Sequence, residues 1–153
     1  MLGIQEMAIT GKVTPLQFSA IVDPRGDLTA LEYEKDIPFL IKRVYYLYNV
    51  PVGAERGGHA HKQLRQVLIA LSGSFTVKLN DGAGIQSHFL NNPRCGLLLE
   101  RLVWREIVDF SHGAVCLCLA SEQYNPDDYI RDQQEFLRQV EENTRDNGTP
   151  QSN

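Results

Sequence analysis

A chain of 153 residues suits one domain, and at this size folding buries roughly 70% of the unfolded surface, enough for a real core. A formal net charge of −4 excludes the basic excess that a nucleic-acid coat or a polybasic membrane surface requires. The longest apolar runs, 67–71 and 114–120, fall far short of the ~20 residues of a membrane helix. The start of the chain also has no basic segment followed by an apolar one, so a cytoplasmic protein is expected.

Read in chain order, the sequence predicts strands over 16–21, 28–33, 41–50, 66–71, 75–79, 86–90, 96–100, 106–110 and 114–120. Turn-forming clusters separate them: Pro24-Arg25-Gly26-Asp27, Ser72-Gly73, Asn80-Asp81-Gly82, Asn91-Asn92-Pro93 and Ser111-His112-Gly113. A single helix is predicted after Asn125, which would serve as N-cap with Pro126 in the first turn and Asp127 and Asp128 complementing the dipole. Its apolar stripe is Ile130, Phe136, Leu137 and Val140. The expected domain is 1–140, and the polar stretch 141–153 reads as a disordered tail. Cys95, Cys116 and Cys118 read as reduced core thiols rather than a disulfide or metal site.

The chemistry concentrates in one short segment. Gly53 is followed after five residues by His59-Ala60-His61, then Gln66 and Gly73. Residues two apart on a strand share a face, so His59 and His61 project together. This spacing resembles the first motif of the cupin jelly rolls, all-β barrels, with one substitution. Where metal-binding cupins have a glutamate, this chain has Gln66, which offers a cation no charge. Trp104 falls where the second motif would supply a further histidine, while His88 and His112 sit near turns. No metal and no cofactor are therefore expected, and His59 and His61 read as free acid/base groups able to exchange protons near neutral pH. Arg25 and Arg56 lie beside glycines that allow close ligand approach, and the guanidinium fork suits a diphosphate. Arg43 and Tyr45 share strand parity, and Trp104 is a candidate pocket wall.

The strings DPRGDLTALEYEKDIPFLIKRVYYLYNV, ERGGHAHKQLRQVLIALSGSFTVKLNDG and VDFSHGAVCLCLASEQYNPDDYIRD resemble the sugar-nucleotide 3,4-ketoisomerases acting on dTDP-4-keto-6-deoxy-D-glucose, over roughly 16–138. The resemblance implies a metal-independent homodimer that moves the keto group from carbon 4 to carbon 3 of a dTDP-linked hexose, supplying deoxysugars for surface polysaccharide or antibiotics. It implies that His59 and His61 are the catalytic pair and that Arg25 and Arg56 match diphosphate-holding arginines of related epimerases. Arg43, Tyr45 and Gln66 match inward strand positions. His61 is the expected carbon base, with His59 relaying protons between the oxygens. Arg65 stands where relatives often carry glutamate; turned inward it would keep the base neutral. Alternatives are a 3,5-epimerase using Tyr124 as its acid, or a non-enzymatic sugar-binding cupin.

Overall fold

The computed structural model describes residues 11–148. Ten strands are followed by one helix: β1 Val13–Gln17, β2 Arg43–Leu47, β3 Arg56–His61, β4 Gln66–Ser72, β5 Phe75–Asn80, β6 Ile85–Leu90, β7 Cys95–Leu99, β8 Trp104–Val108, β9 Val115–Ala120, β10 Tyr129–Ile130 and α1 Gln133–Gly148. They form two five-stranded sheets, ordered β1-β7-β4-β9-β2 and β10-β3-β8-β5-β6, with every ladder antiparallel. The sheets face each other without closing into a barrel, which is the jelly-roll arrangement of the expected all-β class.

Alternation decides what fills the space between them. Leu68, Ala70, Val77, Leu79, Leu97, Leu99, Ile107, Cys116 and Cys118 point inward and form one buried cluster. All three cysteines are free, and Cys116 and Cys118 lie deep in this cluster.

The expected strand over 28–33 is reduced to isolated bridges, Ile21 to Leu28 and Tyr33 to Ile37. The surrounding segment spends its apolar residues differently. Phe18, Leu31, Ile37, Phe39 and Ile41 cover the outer face of the first sheet, packing on Val67, Ile69, Leu98 and Leu119. A central strand such as β4, buried from Gln66 to Ala70, needs cover on both sides, and this segment supplies it.

The end of the chain also departs from expectation. Asn125 caps only a single 3-10 turn, Pro126–Asp128, its side chain accepting from the Asp127 N–H. The helix cannot propagate because its next groups are already engaged. The Asp128 carbonyl accepts from Lys62 N–H, and Tyr129 and Ile130 pair with His61 and Ala60 of β3. Helix α1 begins one turn later, where the Asp132 carboxylate accepts from Gln134 N–H. It continues through 141–148, so that part of the expected tail is helical; 149–153 lie outside the described residues. Phe136 anchors the helix, whereas Leu137 is half exposed and Ile130 belongs to β10.

Candidate active site

Between the two sheets opens a cavity of about 370 Å³. Inward positions of each strand line it: Arg43, Tyr45 and Leu47 from β2, Gln66 and Leu68 from β4, Arg105 and Ile107 from β8, Arg56, Gly57 and His59 from β3, then Tyr129 and Arg131.

A bulge makes this combination possible. Arg56 and His59 are three residues apart, so a regular strand would send them to opposite faces. The β3–β8 register shifts between Gly57 and His59, pairing Arg56 with Ile107 and His59 with Arg105, and the extra residue returns both side chains to the cavity. Gly57 sits at φ +89°, and a Cβ there would meet the Arg105 carbonyl at 2.9 Å, so glycine is required.

His59 and His61 share this face, as their spacing predicts, but they are not equivalent. His59 reaches the cavity; His61 is fully buried behind it. Their Nε2 atoms lie 3.1 Å apart, and His61 Nδ1 lies 3.0 Å from Asp128 Oδ2. The carboxylate only accepts, so His61 donates from Nδ1 and is bare at Nε2, which takes a proton donated by His59 Nε2. The result is an ordered relay, Asp128–His61–His59, opening at the cavity wall. Asp128 is itself fixed by the N–H groups of Gln63 and Leu64. The Tyr129 ring packs on both imidazoles, with centroids 4.9 Å from His59 and 4.5 Å from His61.

Both histidines are held neutral. Burial, reinforced by the Arg105 charge and offset in part by the Gly57 carbonyl, pushes His59 down to about 4. His61 is lowered further, again first by burial and then by Arg105. The cation responsible is not Arg65, which turns outward and pairs with Glu100 at 2.5 Å.

A second network crosses the cavity floor. Arg105 can only donate, so the Gln66 carbonyl accepts from it and the Gln66 amide donates to the Tyr45 hydroxyl at 3.0 Å. Burial raises the Tyr45 pKa, so the phenol keeps its proton. Among the described residues no group of three or more His, Cys, Asp or Glu side chains is gathered as a cation cage. Asp128 and His59 approach His61 from opposite edges of its ring and do not converge.

Two expected site residues lie elsewhere. Trp104 points away from the cavity and packs against Phe136 and Ala60 beneath α1, because the alternation that turns Arg105 and Ile107 inward turns Trp104 out. Arg25 lies in an exposed turn and folds onto Asp23 at 2.8 Å, outside the residues that line the cavity. Tyr124 is exposed and stacks near Tyr129, which takes the position on the wall. Arg105, Tyr129, Arg131 and Asp128 were not anticipated. Strand parity offered a signal for Arg105, since it alternates with Ile107; the other three depend on how the segment after Asn125 docks.

The family model described as FdtA (WxcM-like, C-terminal) matches residues 11–141. The chain belongs to that family. It is 46% identical over 125 residues to the TDP-4-oxo-6-deoxy-alpha-D-glucose-3,4-oxoisomerase of Aneurinibacillus thermoaerophilus, covering 82% of this chain and 90% of that protein. A 3,4-ketoisomerase from Helicobacter canadensis superposes with TM-score 0.82 at 50% identity, covering 84% of this chain and 97% of its own. The sugar 3,4-ketoisomerase QdtA of Thermoanaerobacterium thermosaccharolyticum, solved in complex with TDP, gives TM-score 0.85 at 42% identity, covering 88% and 98%. The resemblance to sugar-nucleotide 3,4-ketoisomerases read from the sequence is thus borne out, and with it the isomerase class.

Proposed function

We propose that the protein converts a TDP-linked 4-keto-6-deoxyglucose to the 3-keto isomer by proton transfer through an enediol, and that His59 is the carbon base. The observation that carries the assignment is the asymmetry of the relay: His59 has access to the cavity and His61 is sealed behind it. This exchanges the roles expected from the sequence. His59 takes the proton from carbon 3 and passes its Nε2 proton to His61. Burial disfavours the imidazolium so formed at His61, and the Asp128 carboxylate at 3.0 Å offsets part of that cost. Reversal delivers a proton to carbon 4, while the hydroxyl proton moves from oxygen 3 to oxygen 4. Tyr45, protonated and within the cavity, is the donor we assign to those oxygens. No atoms or electrons are gained or lost.

Arg43, Arg56 and Arg131 give the cavity a positive rim suited to a diphosphate, and Arg131 stacks on Tyr129 at 4.5 Å. A homodimer is part of the same proposal. Among the described residues strand β2 ends its sheet as an unpaired edge, and Val44 and Tyr46, its outward side chains, are 55% and 59% exposed. That apolar edge supports pairing with a second copy.

The test is proton NMR of the purified protein with dTDP-4-keto-6-deoxyglucose in deuterated water. The expected product is the 3-keto sugar, with any deuterium that enters by exchange at His59 confined to carbon 4 and none at carbon 5. Exchange at carbon 5 would instead identify an epimerase.

A further inference from the structure

Arg105 is the largest of the fully buried side chains among the described residues, 2% exposed, and stands on the cavity wall beside His59, its partner in the β3–β8 register. Its pKa falls to about 10 through burial, so at neutral pH it is still charged. Among the described residues no carboxylate lies within ion-pair distance of it. Only neutral oxygens hold it, those of Gln66 and Val103, and its Nε has no partner. Asp128 acts on it only from beyond ion-pair distance; a buried cation with no ion-pair partner costs several kcal/mol, and proteins seldom keep one unless an anion arrives.

The reaction above supplies that anion. Loss of the carbon 3 proton leaves an enediolate with a full negative charge on its oxygens, formed next to His59. We propose that Arg105 is the catalytic residue that carries the enediolate charge, and that Gln66 is a neutral positioning residue that aims the guanidinium without quenching it. This rests on the ketoisomerase reading and deepens it. It also gives a reason for the amide at the position where metal-binding cupins have glutamate. A carboxylate there would pair with Arg105 and neutralise it before substrate arrived, whereas the amide fixes the fork and leaves the charge available.

The discriminating variant is Gln66→Glu, which keeps shape and packing and adds one negative charge. With chelator present throughout, kcat should fall 100- to 1000-fold with KM changed far less, while thermal stability holds or rises as the ion pair forms. Arg105→Met should match that loss and Arg105→Lys recover part of it. The acid limb of kcat/KM should also move to higher pH in Gln66→Glu and Arg105→Met, because Arg105 helps to keep His59 neutral. The other groups around His59 are unchanged: His61 and Asp128 behind it, Tyr129 and Arg131 from β10 and beyond, Arg43 from β2. If wild type shows no isomerisation, the ketoisomerase reading fails. If wild type turns over and folded Gln66→Glu does so within threefold of it with an unmoved acid limb, the Arg105 proposal alone is overturned.

Discussion

Replacing Asp128 by asparagine changes one oxygen to an amide nitrogen, yet it should reverse the whole relay. Of the three groups donating to Asp128, Gln63 N–H is nearest, at 2.7 Å, and belongs to fixed backbone, so the asparagine carbonyl stays there. The new NH2 then faces His61 Nδ1, formerly 3.0 Å from an acceptor, and Leu64 N–H, formerly 3.3 Å from the same oxygen. His61 must leave Nδ1 bare and protonate Nε2. That proton meets the one on His59 Nε2 across 3.1 Å, so His59 must retreat to its other tautomer and can no longer pass a proton inward. Lost tautomer control of this kind costs about 10²- to 10⁴-fold in kcat, or roughly 3 to 5 kcal/mol of barrier. KM should barely move, because Asp128 does not line the cavity. Stability should fall by about 1 to 3 kcal/mol for the poorly satisfied donors. Steady-state kinetics, with ¹⁵N NMR of the imidazoles to read the tautomers, decides the matter. A folded Asp128→Asn enzyme with kcat within threefold of wild type, or with an unchanged His61 ¹⁵N pattern, would refute the relay.

Two further predictions concern acid and assembly. His59 stands at about 4 in the fold against 6.5 as its ordinary value, so the unfolded chain binds its proton first as the pH falls. Stability from this group is therefore complete above about pH 6.5 and is lost toward pH 4, by on the order of 3 kcal/mol. Urea midpoints at pH 7 and 4.5 should show a drop that is smaller in His59→Asn; an equal drop in both would contradict the assignment. For the dimer, Tyr46→Glu places charge on the exposed face of β2, and sedimentation should shift from two chains to one. A wild-type monomer at micromolar concentration would exclude that arrangement.

The histidine pair was legible because it is local: two residues apart on a strand, the imidazoles must share a face wherever the strand goes. Alternation likewise put Arg43 and Tyr45 on one face, the family resemblance made them and Gln66 inward candidates, and the turn chemistry marked out most of the strands. What sequence could not supply was the depth of each side chain. His59 and His61 look interchangeable in a line of letters, and only the docking of the segment after Asn125, which brings Asp128 against one ring, gives them different work. The same docking left Asp128 in a single 3-10 turn instead of the first turn of the helix, where its charge was expected to complement the dipole. Trp104 and Arg105 show the limit most plainly. Adjacent residues on one strand face opposite ways, and until β8 is paired with β3 and α1 is laid over its far side, nothing decides which enters the core beneath the helix and which enters the cavity. Local covalent geometry set the alternation, whereas the bulge at Gly57 and the packing of two sheets chose its phase, because phase is a property of partners distant in the chain.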